Sequence, residues 1–317
     1  MNAAGRLGVY AAGVAVVFTG AFAAAGAVVP EDAVTAWTQQ TEGAQHPEDG
    51  HEEEAVPAAS AGTAPEESPV RGVAVEQGGY LLQEVSAPEA AGEEKELSFT
   101  ITGPDKAAVT DFETSHEKKA HLIVVRSDGT GYRHVHPVMD EAGRWSIPWQ
   151  WEVAGTYRIY ADITPAGAGE NLTLTRTVEV AGALEPAAPT VSATDEVHGF
   201  EVSVEGELSA GSASELTLNV TRDGQPVTTL EPYLGAYGHL VALREGDLAY
   251  LHVHPDGAEP VAGEVSGPGV EFATTAPTPG RYYLYFDFQV DGKVHTAQFA
   301  LDTTESTDTA ADEHSGH

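Results

Sequence analysis

The 317-residue sequence contains no cysteine and only two methionines, Met1 and Met139. The absence of cysteine excludes disulfides, thiolate nucleophiles, cysteine-based zinc sites and the blue-copper ligand set, which requires a cysteine sulfur. The scarcity of methionine argues against a Cu(I) site, because soft sulfur ligands select that ion. A metal site in this chain would therefore be built from histidines and carboxylates, a donor set that favours Zn(II) or Cu(II).

Basic residues are also scarce, since 15 Lys and Arg stand against 49 Asp and Glu and give a formal net charge of -34. Phosphate backbones need clustered Lys and Arg, so the composition excludes nucleic acid as a partner. An anionic lipid surface would repel the chain. A negative field raises the local concentration of cations, which suits a protein that captures metal ions.

An uncharged stretch at the N-terminus covers residues 7–29 and is preceded by Arg6. A membrane span needs about 20 apolar residues, whereas a secretory signal has an apolar core of roughly 7–15. We therefore predict that residues 1–30 form an uncleaved signal-anchor helix, with a cleaved signal peptide as the alternative. The rest of the chain would then be extracytoplasmic, either tethered to the cell membrane by this helix alone or secreted.

Two other segments lack apolar periodicity. Residues 31–70 are rich in acidic residues, Ala, Pro, Gly and Ser and contain no Lys or Arg, and residues 304–317 are similarly polar. Such compositions cannot bury enough apolar surface to offset the entropy of ordering the chain. The sequence predicts a disordered acidic linker and a disordered tail.

The remaining chain shows the periodicity of β-strands. Residues 97–101 and 216–220 alternate apolar and polar side chains, as half-buried strands do, and no stretch has a convincing period of 3.6. Short strands with frequent turn signals are typical of sandwiches. We predict an all-β fold with two tandem immunoglobulin- or cupredoxin-like β-sandwich domains, at residues 71–182 and 191–303, joined by a Pro- and Ala-rich linker at residues 183–190.

A histidine pattern occurs twice in these domains. All three positions shift together by 118 residues, which relates His121, His134 and His136 to His239, His252 and His254. The strand sequence at residues 155–162 likewise matches residues 280–287 at an offset of 125, so that Asp162 corresponds to Asp287. The chain is a tandem duplication.

The spacing predicts that the three histidines of each copy converge. A tight turn at the Asp-Gly dipeptide of the first copy gives a hairpin in which paired residue numbers sum to about 257, which places His121 opposite His136. His134 shares their face because side chains alternate along a strand. Imidazole is the commonest metal ligand, and three rings on such a base can reach one ion. In the second copy the numbers of paired residues sum to 493, which places His239 opposite His254.

We predict a divalent metal site, for Cu(II) or Zn(II), in each copy, two sites in all. Asp162 and Asp287 are candidates for a fourth ligand or for a carboxylate that orients an imidazole. Glu113 and Glu231 are weaker candidates. The full set of predicted metal-site residues is His121, His134, His136, Asp162, His239, His252, His254 and Asp287.

The histidines also have a structural interpretation. A His-x-His pair is commonly just two histidines on a strand, and duplication copies a structural motif as faithfully as a functional one. Against this, three packed imidazoles without a metal would repel one another once protonated below about pH 6.5. His116, His198 and His295 have no counterpart in the other copy and are predicted to be surface or structural residues.

Tryptophans form a second feature, because Trp145, Ile147, Trp149 and Trp151 alternate onto one face of a predicted strand. Packing in a core or between domains is the favoured interpretation. An exposed patch that binds a partner is the alternative.

No catalytic residues are predicted, since no Ser/His/Asp set, phosphate loop or paired-carboxylate motif accompanies the histidines. The JAMM metallopeptidase motif is excluded because Ser146 and Ser266 lack the following Asp. The first cupin motif is matched by Glu141 and Glu259, but the second is missing. The histidine set is similar to the zinc arrangement of carbonic anhydrase, so a cupin-like or zinc-dependent enzyme stays a minor alternative.

The segments Gly238-His239-Leu240-Val241-Ala242-Leu243 and Tyr250-Leu251-His252-Val253-His254-Pro255, with their first-copy equivalents, carry a family resemblance. Over residues 97–287 the chain resembles exported actinobacterial proteins labelled as uncharacterised secreted or heavy-metal-binding proteins. It is more weakly similar to the YtkA-like and CopC-like copper-handling β-sandwiches, although it lacks methionine clusters. The resemblance implies extracytoplasmic metal binding, with copper resistance or delivery as the usual setting. We predict metal sequestration or delivery, with a membrane metal transporter or chaperone as a candidate partner. A non-catalytic cell-surface interaction module with structural histidines is the alternative.

Overall fold

A computed structural model describes residues 70–187, 189–251, 253–256, 260–261 and 263–304. The predicted N-terminal helix, acidic linker and C-terminal tail lie outside these ranges, apart from residues 70 and 304. Within the described ranges, no helix is long and apolar enough to cross a membrane.

The first repeat, residues 71–182, forms two sheets that enclose an apolar core. Its strands are β1 (Glu76–Gln77), β2 (Tyr80–Leu82), β3 (Glu94–Thr102), β4 (Ala120–Arg126), β5 (Arg133–Val135), β6 (Val138–Met139), β7 (Arg144–Gln150), β8 (Gly155–Ile163) and β9 (Leu172–Val180). One sheet has the order β1-β2-β3-β7-β6 and the other the order β5-β4-β8-β9. Phe99 of the first sheet and Leu122 and Ile159 of the second meet in the core between them.

The second repeat, residues 191–303, has the same plan. Its strands are β10 (Thr194–Val197), β11 (Phe200–Glu205), β12 (Ala213–Arg222), β13 (Gln225–Pro226), β14 (His239–Arg244), β15 (Tyr250–Leu251), β16 (His254–Pro255), β17 (Gly269–Thr275), β18 (Arg281–Val290) and β19 (Lys293–Asp302). One sheet has the order β10-β11-β12-β17-β16, with β13 beside β12, and the other the order β15-β14-β18-β19. The prediction of an all-β fold with two tandem β-sandwiches is confirmed.

The predicted hairpin registers are also observed. In the first repeat Leu122 lies opposite Val135 and Ile123 opposite His134, so that paired numbers sum to 257. In the second repeat the pairing of β14 with β15 gives the sum of 493. The tight turn of the first hairpin is closed by a hydrogen bond from Gly129 N to Arg126 O at 2.9 Å, with Gly129 at a φ of 82°.

The strand β4 is buried along its whole length, which a strand with one solvated face would not be. Leu122 and Val124 point into the core of the first repeat. Ile123 and Val125, on the other face, belong to a separate apolar cluster that contains residues of both repeats. The outer face of this sheet is therefore covered by the second repeat.

This shared cluster joins the two repeats through the sheets that contain β4 and β14. Its buried members are Ile123, Val125, Tyr132, Tyr160, Val241, Leu243, Leu248, Tyr283, Tyr285 and Ala300. The rings of Tyr132 and Tyr285 stack across the boundary with their centroids 4.0 Å apart and an interplanar angle of 4°. Burial of apolar and aromatic surface is the main contribution to the free energy that holds the repeats together.

Hydrogen bonds across the boundary are reciprocal. The hydroxyl of Tyr160, in β8, donates to Leu248 O of the second repeat at 2.5 Å. The hydroxyl of Tyr285, in β18, donates to Gly129 O of the first repeat at 2.7 Å. Tyr160 and Tyr285 are equivalent residues of the duplication, so the repeats contact each other as the subunits of a two-fold dimer do.

The tryptophans lie in the core of the first repeat. Trp145, Trp149 and Trp151 expose only 2–3% of their surface, and Trp151 Nε1 donates a hydrogen bond to Pro88 O at 2.8 Å. The favoured interpretation of core packing is confirmed. These rings do not form the exposed partner-binding patch that was the alternative.

Candidate metal centre

His121 begins the site because β4 directs it toward the second repeat. Its side chain is on the same face as Ile123, and the residue is 8% exposed. Its Nε2–H donates a hydrogen bond to Ser115 O at 3.0 Å, since a carbonyl oxygen can only accept. In the neutral ring the hydrogen is thus fixed on Nε2, and Nδ1 carries a lone pair.

His134 is oriented by the other repeat. Its Nδ1–H donates to Asp287 Oδ2 at 2.8 Å, and Asp287 Oδ1 accepts a second hydrogen bond from Thr296 Oγ1 at 2.6 Å. The carboxylate holds the imidazole in one orientation and fixes its hydrogen on Nδ1. In the neutral ring Nε2 of His134 then carries a lone pair.

The three histidines of the first copy converge as predicted. His121 Nδ1 lies 3.0 Å from His134 Nε2 and 3.3 Å from His136 Nε2, and one ligand atom of each ring lies within 4.8 Å of the others. Nitrogens bound tetrahedrally to one ion at 2.0–2.1 Å are about 3.3 Å apart. We call these three residues the triad. Their spacing fits a single metal ion.

The protonation equilibria of His121 and His136 leave their lone pairs free. Burial, and after it the neighbouring His134, lowers the pKa of His121 to about 3. The same two causes lower the pKa of His136 to about 3. Both rings are therefore neutral near pH 7, and their ligand nitrogens are available to a cation.

Asp162, the predicted carboxylate of the first copy, makes its hydrogen bond outside the triad. It pairs with His121 across β4 and β8, and its Oδ1 accepts a hydrogen bond from Asn171 Nδ2 at 2.6 Å. Burial raises the pKa of Asp162 to about 6 against the opposing effect of Asn171. The equivalent residue of the second repeat, Asp287, does contact the triad, because it accepts the hydrogen bond of His134.

A cavity of about 270 Å³ lies beside the triad, between the repeats. The histidines, lysines and aspartate that line it are His116, Lys118, Lys119, His121, His134, Asp162 and His239. Histidines of both repeats thus face one partly open space.

The second copy is described only in part. His239 Nε2–H donates to Tyr233 O at 2.8 Å, which repeats the six-residue separation of His121 and Ser115. Burial lowers the pKa of His239 to about 4. His254 lies in β16, opposite Ala273, whereas His252 lies outside the described residues.

The weaker carboxylate candidates have other surroundings. Glu231 accepts hydrogen bonds from Gln289 Nε2 at 2.9 Å and from Gly292 N at 2.8 Å, and Glu113 is exposed. His198 and His295 form a separate pair, with their Nδ1 atoms 3.0 Å apart.

His116 is a residue at the site that the sequence analysis missed. Its ring centroid lies 6.1 Å from that of His121 and 5.4 Å from that of His239. The duplication offers no signal for it, because the equivalent residue of the second copy is Leu234.

The comparison with known families identifies the domain. The profile of the family described as Domain of unknown function (DUF8832) matches residues 76–182 and again residues 195–305. The chain belongs to this family and carries two copies of its domain. No curated protein matches the sequence.

The solved structures that match the chain are similar to it only at a low level of sequence identity and of structural overlap. Salmonella alpha-2-macroglobulin reacted with methylamine is 14% identical, with a TM-score of 0.25 over 75% of this chain and 15% of its own. The Yersinia pseudotuberculosis adhesin InvE is 12% identical, with a TM-score of 0.21 over 69% of this chain and 57% of its own. The D00-D0 domain of intimin is 10% identical, with a TM-score of 0.21 over 71% of this chain and 99% of its own. This chain spans a small part of the alpha-2-macroglobulin, and TM-scores of this size carry no inference about its function.

Proposed function

We propose that this protein binds Cu(II) or Zn(II) at His121, His134 and His136, for sequestration or delivery of the metal. The observation that carries the proposal is the pair of facing nitrogens, His121 Nδ1 and His134 Nε2, at 3.0 Å. Each ring already commits its one hydrogen to an acceptor on its other side. Two lone pairs at this distance repel each other unless a cation lies between them.

A metal ion satisfies this arrangement more completely than a proton. One proton can bridge only two of the three nitrogens, and His136 Nε2 approaches the same atom of His121 at 3.3 Å. A single ion accepts a lone pair from all three rings. The acceptors Ser115 O and Asp287 Oδ2 then serve as the outer partners that commonly orient metal-bound histidines.

The ligand set limits which metal ion can bind and suggests what the protein does with that ion. Three imidazoles without sulfur favour Zn(II) or Cu(II) over Cu(I). Three protein ligands leave a coordination position for water or for an exchanging partner. Binding followed by transfer, for example to a membrane metal transporter or chaperone, fits such a site better than permanent structural binding does.

The proposal extends to the second copy and to the location of the protein. We propose that His239, His252 and His254 bind a second ion, with Asp162 as the orienting carboxylate that corresponds to Asp287. The predicted export and membrane attachment through residues 1–30 would place both sites outside the cytoplasm, where the negative charge of the chain concentrates cations.

A non-catalytic cell-surface interaction module with structural histidines is the second candidate. It is favoured by the hydrogen bonds that His121 and His134 already make with protein acceptors. In this case the hydrogen bond between His134 and Asp287 would hold the two repeats together without metal.

Calorimetric titration of the full chain with Zn(II) and Cu(II), in detergent and at about 0.15 M salt to screen exposed carboxylates, separates the candidates. The variant with His134→Ala and His136→Ala should lose one tight equivalent of metal. The matched control with His198→Ala and His295→Ala, which removes another pair of close imidazoles, should retain it. Equal binding by both variants would leave the triad with a structural role.

A further inference from the structure

His116 is held in position by a tight turn. Ser115 N donates to Lys118 O at 2.8 Å and Lys118 N donates to Ser115 O at 3.0 Å. His116 and Glu117 occupy the two turn positions with φ of 46° and 63°, the left-handed conformation that tight hairpin turns require. The same Ser115 carbonyl accepts the hydrogen bond of His121, so the turn and the triad are fixed to each other.

The second repeat has the same turn without the imidazole. Tyr233 N donates to Ala236 O at 2.8 Å and Ala236 N donates to Tyr233 O at 3.2 Å, with Leu234 at a φ of 53°. A leucine therefore satisfies the turn, and its geometry does not explain a histidine at residue 116. His116 is exposed at the rim of the cavity between the repeats.

The distance between His116 and His239 resembles the distances within the triad. Their ring centroids are 5.4 Å apart, and the three triad separations are 5.2, 4.9 and 5.0 Å. Two imidazoles bound to one ion at 2.0–2.1 Å have centroids about 5 Å apart. By contrast, His239 is 6.4 Å from His134.

The tautomer of His239 is also suitable. Because Tyr233 O accepts its Nε2–H, the neutral ring carries its lone pair on Nδ1, as His121 does. The carboxylate of Asp162 lines the same cavity and adds negative charge. Lys118 and Lys119 at the rim oppose it, which favours weak and exchangeable binding.

We propose that His116 and His239 form an entry site for a cation, with one imidazole from each repeat, for the same divalent ions. Nδ1 of His239 binds one ion at a time, so an ion at this position and an ion bound by His239 with His252 and His254 are alternatives. Two protein ligands and an exposed His116 leave several positions to water, so the ion exchanges with solvent faster than at the triad. The site lies at the rim of the cavity that the triad also lines, and it is the entry position for metal. It does not depend on metal binding by the triad.

Carbethoxylation of histidine with diethyl pyrocarbonate, read by mass spectrometry on the full chain, tests this site. The reagent acylates an unprotonated imidazole nitrogen, and coordination to Zn(II) removes that lone pair. Added Zn(II) should protect His116. The control is removal of Zn(II) with a chelator, which should restore the labelling of His116.

Two variants assign the protection. His239→Gln should abolish the protection of His116, whereas the triad variant with His134→Ala and His136→Ala should retain it. Labelling of His116 that is unaffected by Zn(II), at concentrations that fill the triad in calorimetry, would overturn this inference and leave the proposed function standing. Protection that persists in His239→Gln would also overturn it, because His116 would then bind metal without the second repeat.

Discussion

His134 of the first repeat donates a hydrogen bond to Asp287 of the second, and the two side chains are only 6% and 3% exposed. The carboxylate that orients a triad ligand therefore belongs to the other sandwich. Orientation of the triad and contact between the repeats depend on the same buried pair. Metal affinity and the integrity of the boundary should respond together when this pair is changed.

Asp287→Asn should lower the affinity of the triad for Zn(II) by about 10–100-fold, the usual effect of losing an outer partner of a metal-bound histidine. The amide keeps the size of the side chain but not the charge that favours His134 Nδ1–H as the donor. Competition with a chromogenic chelator measures the change. Asp302→Asn, which removes an exposed carboxylate paired with Arg281, is the control. Equal affinities for the two variants would show that Asp287 has no role in metal binding.

Gly129→Ala should destabilise the protein more than Gly246→Ala does. Both glycines have positive φ, 82° and 98°, and alanine in such a conformation costs about 1–2 kcal/mol. A Cβ on Gly129 would also lie 2.6 Å from the ring of Tyr283, in the second repeat, whereas a Cβ on Gly246 meets nothing within 4 Å. Free energies of unfolding from urea titrations compare the two. An equal loss of unfolding free energy in both variants would mean that the Tyr283 ring moves aside without lowering the stability.

Tyr160→Phe and Tyr285→Phe should each lower the free energy of unfolding by about 1 kcal/mol, because each removes one buried hydrogen bond between the repeats. The two positions are equivalent, so the two losses should be similar. Denaturant unfolding of the single variants provides the measurement. A loss at one position with none at the other would contradict the two-fold character of the boundary.

The metal-free protein should lose stability as the pH falls from about 6.5 toward about 3. Burial, and after it His134, lowers the folded-state pKa of His121 and His136 to about 3, whereas an unfolded histidine titrates near about 6.5. In this interval the unfolded state binds more protons, so acid favours unfolding. Urea midpoints across this range should fall less steeply for the variant with His121→Asn and His136→Asn. A slope equal in the parent protein and in this variant would refute the assignment.

The convergence of the triad was predictable because it depends on local geometry. The turn at Gly129 and the alternation of side chains determine which residues face each other in a hairpin, and these features can be deduced from the sequence. The partner of the outer sheet face was not predictable in this way. The unbroken apolar run from Leu122 to Val125 was a signal that both faces of β4 are covered, but it does not say by what.

The assignment of Asp287 shows the limit of reasoning from a duplication. The offset of 125 relates Asp287 to Asp162 and suggests that each carboxylate serves the histidines of its own copy. Packing of the repeats brings Asp287 to His134 instead. His116 was missed for the related reason that a residue unique to one copy leaves no trace in the repeat.

The crossing of Asp287 to His134 has a consequence for how such a protein could arise. The first repeat carries three histidines and a carboxylate of its own, but the carboxylate that orients its triad comes from the second repeat. An ancestor of one repeat would have assembled this arrangement only by pairing with an identical molecule. Joining the copies in one chain replaces that encounter between molecules by a high effective concentration, so the site forms even where the protein is scarce. It also freed the two halves to diverge, and a histidine at residue 116 opposite a leucine at residue 234 is a difference that a symmetric pair could not have acquired.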